Sequence, residues 1–301
     1  MAGWADAAIH GPQGAGCGRS AWSPSLDSMK RRILTGLPLA LLVVYLIVQG
    51  REWLFTLAVL ATVMISLHEY LDISRAAGLG GWPGISYVAA GMLCLGQLAH
   101  LHGLAAGDPA LLLLIMVLAI PLAGLVTVSD LKHYPGALAS TVLGVFYVGF
   151  AFSWVIPLRF GDPETGWHLI ILLFLVVWAG DIFAYAVGRM VGRIPLTKTI
   201  SPKKTVEGAI AGLAGGVLVA WGFSHWFWQT GDEKTVILIA GMVALAGQAG
   251  DLVESALKRA ANLKDSGTIL PGHGGLLDRI DSLLFAAPTL WVVWHLKDFW
   301  H

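Results

Sequence analysis

The chain has 301 residues, of which 56% are hydrophobic and 13% are charged, and its formal net charge is zero. Soluble domains carry about 25% charged residues, so this composition excludes an ordinary soluble protein. Several apolar runs reach the roughly 18 to 20 residues that cross a bilayer as a helix, and the sequence lacks the short alternating segments of a membrane β-barrel. The two cysteines, Cys17 in a polar tail and Cys94 in an apolar run, indicate neither a disulfide framework nor a zinc site. The sequence therefore predicts an all-α, polytopic integral membrane protein.

Residues 1–28 differ in character from the rest of the chain. They are rich in Gly, Ala, Ser and Pro and show no periodicity, a composition that predicts a disordered N-terminal extension. They lack the layout of a cleavable signal peptide, in which a basic segment precedes an apolar core. Met29 is followed by three basic residues and an apolar run, as at the natural N-terminus of a membrane protein. We therefore expect residues 29–301 to form the membrane domain.

Apolar spans then follow one another along the chain. Nine are predicted, at about 33–49, 53–71, 85–101, 110–128, 137–157, 167–188, 207–228, 235–254 and 282–299. The first two are separated by a short link around Arg51, which predicts a tight helical hairpin; the first is short enough for a tilted or re-entrant helix as well. Gly208, Gly212, Gly215 and Gly216 share one span at the spacing that allows two helices to pack closely.

The basic residues orient these spans. With a cytoplasmic N-terminus, fourteen Lys and Arg residues fall in the inner loops, whereas Arg51, Arg159, Lys234 and Lys297 fall outside. The positive-inside rule favours this arrangement. We therefore predict a cytoplasmic N-terminus and an external C-terminus, with the basic clusters 189–204 and 258–279 on the same cytoplasmic side.

The first polar block is residues 178–193, WAGDIFAYAVGRMVGR, which places Asp181 inside an apolar run. A carboxylate in a membrane segment costs free energy unless it faces a polar cavity or a partner. Asp181 is therefore a candidate functional residue.

The second polar block is residues 201–208, SPKKTVEG. Ser201 before Pro202 predicts a helix N-cap followed by proline at the first helical position. A helix N-terminus carrying Lys203, Lys204 and Thr205 would bind an anion. An anchor on the cytoplasmic side explains the two lysines equally well.

The third polar block begins at the end of the span 235–254. The polar residues Asp251, Glu254, Ser255, Lys258 and Arg259 have spacings that place them on one face of a helix. Snorkelling towards lipid headgroups explains the two cations. It does not explain the two carboxylates, which anionic lipids would repel.

The fourth polar block is Asp278-Arg279-Ile-Asp281. Two carboxylates three residues apart on a helix repel each other unless a cation lies between them, and Mg²⁺ takes such oxygen ligands together with substrate phosphates. A simple cap of a helix start by Asp278 is an equal alternative. The glycine-rich stretch 271–275, PGHGG, lies directly upstream and allows backbone amides to approach an anion.

These blocks together resemble a known signature. The pattern S-x-L-K-R-x4-K-D over residues 255–265, followed by P-x-H-G-G-x2-D-R-x-D over 271–281, resembles the signature of phosphatidate cytidylyltransferases, also called CDP-diacylglycerol synthases. Residues 201–208 and the element D-x2-A-Y-x2-G over 181–188 resemble the other two blocks of that family, in the same order.

The resemblance covers residues 29–301 and implies one transmembrane cytidylyltransferase domain with its catalytic motifs in 178–281. It implies Mg²⁺-dependent transfer of CMP from CTP to phosphatidate, with CDP-diacylglycerol and pyrophosphate as products. The attacking phosphate is largely ionised at neutral pH, because its second pKa lies near 6. A general base is therefore unnecessary, and His273 is assigned to loop structure or to a phosphate contact.

The resemblance also implies the roles of individual residues. The metal ligands are predicted to be Asp251, Asp278 and Asp281, with Asp181 as an additional candidate. The catalytic set is Asp251, Asp278, Asp281, Lys258 and Arg259. Substrate binding is assigned to Ser201, Lys203, Lys204, Thr205, Ser255, His273 and Arg279. Glu207, Glu254, Lys264 and Asp265 belong to the motifs without an assigned role.

The expected partners are CTP, phosphatidate and membrane lipid, without nucleic acid; a homodimer is left open. The expected location is a bacterial inner membrane, with the active site facing the cytoplasm. Two alternative functions are a CTP-dependent enzyme that acts on a prenyl-chain lipid, and a transporter that uses intramembrane charges as an ion path. The complete signature disfavours the first. The second is disfavoured because the charges lie at the span ends and the sequence shows no internal repeat.

Removal of the predicted extension is a direct test of its role. We expect a chain that begins at Met29 to insert into membranes and to retain full activity, because the signature lies entirely beyond residue 178. Activity per inserted protein in a membrane preparation is the measurement. Loss of activity in the shortened chain would contradict a dispensable extension.

Overall fold

The computed structural model describes residues 40–128, 130–229, 232–269 and 274–297. The predicted extension 1–28, the start of the first predicted span and His273 lie outside these residues. The helices of the described ranges are α1 (Ala40–Gln49), α2 (Glu52–Ala76), α3 (Pro83–Leu101), α4 (Pro109–Thr127), α5 (Tyr134–Phe160), α6 (Gly166–Val191), α7 (Val206–Trp228), α8 (Glu233–Ala260) and α9 (Leu277–Leu296). A short 3₁₀ helix, Ala105–Gly107, precedes α4, and π-helical turns occupy Val145–Phe150 within α5 and Ser224–Trp228 at the end of α7.

The prediction of an all-α, polytopic membrane protein is confirmed. Within the described ranges, seven helices, α2 to α8, are long and apolar enough to cross a membrane. The shorter apolar helix α1 and the helix α9 lie where the first and last of the nine spans were predicted. An α-helix satisfies its own backbone hydrogen bonds, which is why apolar runs of this length fold as helices in lipid.

Apolar side chains cover both the inside and the outside of the helical bundle. Leu67, Leu173 and Leu284 are fully buried in the main core, which joins α2, α6 and α9. In contrast, α4 turns Leu114 and Leu118 outwards, where they are more than half exposed. Exposed leucines of this kind fit a helix surface that faces lipid.

Two helix pairs carry the polar blocks: α6 packs along α7, and α8 packs along α9. The predicted glycine contacts are present. A Cβ atom on Gly208 would lie 2.7 Å from the carbonyl oxygen of Ala184, and one on Gly212 would lie 2.8 Å from that of Gly180. Larger residues would push α7 away from α6, so the glycines fix how closely the helix that bears Asp181 approaches its neighbours.

The link between α6 and α7 is a small antiparallel hairpin. Strand β1 (Pro195–Thr197) pairs with β2 (Ser201–Thr205), with Pro195 opposite Thr205 and Thr197 opposite Ser201. The backbone N–H of Ser201 donates to the hydroxyl of Thr197 at 3.2 Å. The hairpin therefore holds the two-lysine segment in an extended conformation.

The predicted helix start at Ser201 is wrong. Pairing with β1 keeps residues 201–205 extended, and α7 begins four residues later than Pro202, at Val206. Thr205 is the N-cap, and its hydroxyl accepts from the backbone N–H of Gly208 at 3.1 Å. The strand has a single neighbour and so tolerates Pro202, which lacks a backbone donor.

The capping role of Thr205 can be separated from a direct role in binding. Thr205→Ala should lower the free energy of unfolding by about 1 kcal/mol, because it leaves an N-terminal amide of α7 without its acceptor. Thr205→Ser keeps the hydroxyl and should retain most of that stability. Unfolding in detergent micelles is the measurement, and equal losses in both variants would show that the methyl group matters rather than the cap.

Candidate active site

The polar blocks converge on one cavity of about 500 Å³, here called the site cavity. It lies where α6, the end of α8 and the start of α9 meet. Its lining residues are Asp181, Asp251, Lys258, Asp265, Gly274, Asp278, Arg279, Asp281 and Ser282. Five of these carry carboxylates and two carry cations, so the site cavity is suited to a highly charged ligand.

Asp181 reaches the site cavity from α6, and its side chain is exposed there. Among the described residues it has neither a hydrogen bond nor an ion pair. The prediction that this carboxylate faces a polar cavity is thus met. A carboxylate in this position is available to a cation or to a ligand.

Asp251 links the hairpin to α8. Its carboxylate forms an ion pair with Lys204 of β2, and the hydroxyl of Ser255 donates to it at 3.4 Å. Both side chains of the ion pair are about one-third exposed. The contact brings the second polar block to the edge of the third, although 47 residues separate them in the sequence.

Lys258 lies between two carboxylates. Its ammonium group pairs with Glu254, one helical turn earlier on α8 and fully buried, and with Asp278 of α9 at 2.5 Å. Buried charges are stable only when paired in this way. The end of α8 and the start of α9 are therefore held together by one cation.

Both carboxylate oxygens of Asp278 accept hydrogen bonds. One oxygen accepts from Lys258, and the other accepts from the backbone amides of Ser266 and Gly275, each at 3.0 Å. Burial alone would raise the pKa of Asp278, but the contacts with Lys258, with Glu254 and with the two amides outweigh burial and lower it to about 2. The carboxylate is thus ionised at neutral pH and organises the loop before α9.

Asp281 faces the site cavity one helical turn after Asp278. It lies near Asp251 because α8 and α9 pack closely at Gly250, where a Cβ atom would be 2.6 Å from the carbonyl oxygen of Asp281. The predicted helix start that carries Asp278 and Asp281 is confirmed, since α9 begins at Leu277.

The remaining predicted site residues divide between cavity and backbone contacts. Arg279 is exposed and lines the site cavity.

Arg259 donates instead to the carbonyl oxygens of Ile200 and Leu263, at 3.3 and 2.9 Å. Lys203 is exposed and is not among the residues that line the site cavity. Ser201 and Thr205 serve the hairpin and the helix cap described above.

A family model described as "Cytidylyltransferase family" matches residues 30–297. The chain belongs to the cytidylyltransferase family.

Its relatives carry a common name. The chain is 34% identical over 268 residues to "Phosphatidate cytidylyltransferase" of Synechocystis, an alignment that covers 79% of this chain and 87% of the relative. It is also 34% identical over 268 residues to the protein of the same name from Bacillus subtilis, covering 87% and 96%. "Phosphatidate cytidylyltransferase 4, chloroplastic" of Arabidopsis thaliana is 32% identical over 285 residues, covering 86% and 71%. The predicted family is therefore confirmed.

In this cytidylyltransferase, sequence reasoning missed one buried carboxylate near the site. Glu69 of α2 is 2% exposed and contacts the loop and turn before α9. It was overlooked because it lies in an early span with no motif around it. The rule that singled out Asp181, an ionisable residue inside an apolar run, would also have found Glu69.

The donor set of the site cavity has the chemistry of a hard-cation site. Asp181, Asp251 and Asp281 present carboxylate oxygens from three helices, which is the ligand type that Mg²⁺ prefers. Across the described ranges, however, no three His, Cys, Asp or Glu side chains are grouped to hold a metal ion. Asp251 forms an ion pair with Lys204 instead. The residue types therefore suit Mg²⁺, but the described positions do not group the three carboxylates around an ion.

The pairing of Lys258 predicts a large loss of stability when its charge is removed. Lys258→Met would leave the buried Glu254 and Asp278 without their cation, so the free energy of unfolding should fall by about 3–5 kcal/mol. Lys258→Met combined with Glu254→Gln should recover part of that loss. Unfolding in detergent is the measurement, with Lys132→Met, an exposed loop lysine, as the control. If both lysine variants lost the same small amount of stability, the charge cluster would not be holding α8 to α9.

Proposed function

We propose that this protein is a phosphatidate cytidylyltransferase, which transfers CMP from CTP to phosphatidate and releases pyrophosphate. The observation that carries the proposal is the 34% identity to proteins of that name over most of the chain. The site cavity supports it, because carboxylates from three polar blocks line it together with Lys258 and Arg279, and Lys204 of the second polar block pairs with Asp251 at its edge.

The proposed reaction requires no redox partner. A phosphate oxygen of phosphatidate attacks the α-phosphorus of CTP, a new P–O bond forms, and the bond to the leaving pyrophosphate breaks. The attacking oxygen is already largely ionised at neutral pH. The task of the protein is therefore to bring two anions together, which is a matter of positioning and charge.

The cations of the site are proposed to bind the phosphates. Lys258 is fixed between Glu254 and Asp278, so its position is set before substrate arrives. Lys204 pairs with Asp251 at the cavity edge and could exchange this carboxylate for a phosphate oxygen. Lys203 and Arg279, both exposed, would add positive charge as the triphosphate enters.

Mg²⁺ is proposed as the cofactor, and Asp181, Asp251 and Asp281 are the residues that would hold it. When bound, it would neutralise phosphate charge and polarise the phosphoryl group under attack. Asp278 was predicted as a metal ligand together with Asp251 and Asp281; in the structure its carboxylate accepts from Lys258 and from two backbone amides. We therefore propose that Asp278 positions Lys258 and the loop.

The membrane setting follows from the two substrates. The acyl chains of phosphatidate remain in lipid, whereas CTP is a cytoplasmic solute. We propose that the site cavity faces the cytoplasm of a bacterial cell membrane, in agreement with the basic residues on that side of the predicted topology. Assembly as a homodimer remains a prediction.

The decisive test is an assay of the purified protein with labelled CTP. We expect pyrophosphate release that depends on both phosphatidate and Mg²⁺, and label that appears in CDP-diacylglycerol. Removal of the metal with a chelator should abolish turnover. Label transferred only to a prenyl-chain lipid, or no release of pyrophosphate with either lipid, would overturn the proposal; the latter is what a transporter predicts.

Asp281→Asn tests the proposed metal ligands. The substitution keeps the size of the side chain and removes its charge, so we expect at least about a 100-fold lower kcat in a protein that still inserts and folds. Asp130→Asn, in an exposed loop where Asp130 pairs with His133, is the matched control and should keep normal turnover. Near-normal turnover in Asp281→Asn would remove Asp281 from the site.

A further inference from the structure

Glu69 is a buried carboxylate that the proposed reaction does not use directly. It lies near the end of α2, is only 2% exposed, and has Leu67 and Tyr70 as buried neighbours. A buried carboxylate is costly unless it is hydrogen bonded or paired. Its partners in this structure come from a distant part of the chain.

Three donors converge on the Glu69 carboxylate. The backbone amides of Leu276 and Leu277 donate at 3.0 and 2.7 Å, and the hydroxyl of Ser266 donates at 3.1 Å. The two amides stand at the start of α9, where N–H groups have no partner inside the helix. A negative charge at this end of a helix is also favoured by the helix dipole. Glu69 therefore caps α9 from another helix, 208 residues away in the sequence.

Two glycines in the loop and turn before α9 leave space for this carboxylate. A Cβ atom on Gly267 would lie 2.6 Å from one oxygen of Glu69, and a Cβ atom on Gly275 would lie 2.7 Å from the other. Either contact is too short for a side chain. Glycine at both positions thus allows the backbone to close around Glu69.

The same network continues into the site cavity. The hydroxyl of Ser266, which donates to Glu69, accepts from the backbone N–H of Asp278 at 3.3 Å. The carboxylate of Asp278 in turn accepts from the amides of Ser266 and Gly275 and from Lys258. Glu69 is therefore connected to Lys258 through two residues, Ser266 and Asp278.

We propose that Glu69 is a positioning residue, whose carboxylate fixes the turn 274–276 and the start of α9 so that Asp278 and Asp281 face the site cavity. The proposal rests on the proposed cytidylyltransferase reaction for its kinetic consequences. The structural part of the proposal, that hydrogen bonds from the turn to Glu69 hold it against α2, does not depend on that reaction. A displacement of about 1 Å in a positioned group can lower turnover by about 100-fold.

The test is Glu69→Gln in the full chain, with two readouts. The substitution keeps the side-chain size but directs an NH₂ group at donors that need an acceptor. We expect kcat per folded molecule to fall by about 10- to 100-fold. Amide hydrogen exchange should become faster in residues 266–279 and remain unchanged in α6. Glu52→Gln, also on α2 but with an exposed side chain paired to His102, is the control and should match the wild type in both readouts.

Hydrogen exchange separates this proposal from the proposed function, because it needs no substrate. A wild-type protein without cytidylyl transfer would overturn the function, while faster local exchange in Glu69→Gln would still support the tie. Wild-type exchange in residues 266–279 would overturn the positioning role. So would an equal acceleration of exchange in all helices, since that marks a general loss of stability.

Ser266→Ala keeps the test decisive if Glu69→Gln does not fold. It removes the hydroxyl that joins Glu69 to Asp278 and leaves the two amide contacts of the carboxylate in place. We expect about a 10-fold lower kcat and faster exchange around Asp278. Wild-type kcat and exchange in Ser266→Ala would overturn the proposal.

Discussion

The site depends on one constraint, the pairing of charges away from bulk water. Lys258 can lie between Glu254 and Asp278 because its ammonium group pairs with both carboxylates. The same pairing joins the end of α8 to the start of α9. Once these ends are fixed, Asp251 and Asp281 follow, since each is one helical turn from a member of the cluster.

Close helix packing brings the remaining parts to this cluster. Gly250 lets α9 approach α8, while Gly208 and Gly212 let α7 approach α6, which carries Asp181. The hairpin before α7 then delivers Lys204 to Asp251. Polar side chains from separate parts of the sequence thus share one cavity, an arrangement suited to holding two anionic substrates of a cytidylyltransferase side by side.

Glu69 shows that the early helices also shape the site. The first half of the chain contains no polar motif, yet α2 supplies the carboxylate that accepts the free amides at the start of α9. Such a cap is effective because its partners are backbone groups that would otherwise be unsatisfied in a dry interior. The loop and turn before α9 are thereby tied to the buried core of the bundle.

The sequence by itself determined the membrane class, the nine helical positions, the family and most residues that line the site cavity. The class and the helical positions follow from composition and from the length of apolar runs, whereas the family follows from the resemblance of residues 181–188, 201–208 and 255–281 to its signature. The candidate carboxylates stand out because a charge in an apolar helix costs free energy. Only the tertiary structure decided the contacts that depend on what a helix face meets. Strand pairing places the N-cap of α7 at Thr205 and not at the predicted Ser201. The side chain of Arg259 donates to the carbonyl oxygens of Ile200 and Leu263. The hydrogen-bond partners of Glu69 lie about 200 residues away in the sequence. Helical spacing defines which residues share a face, but the partner of that face is set by packing between distant segments.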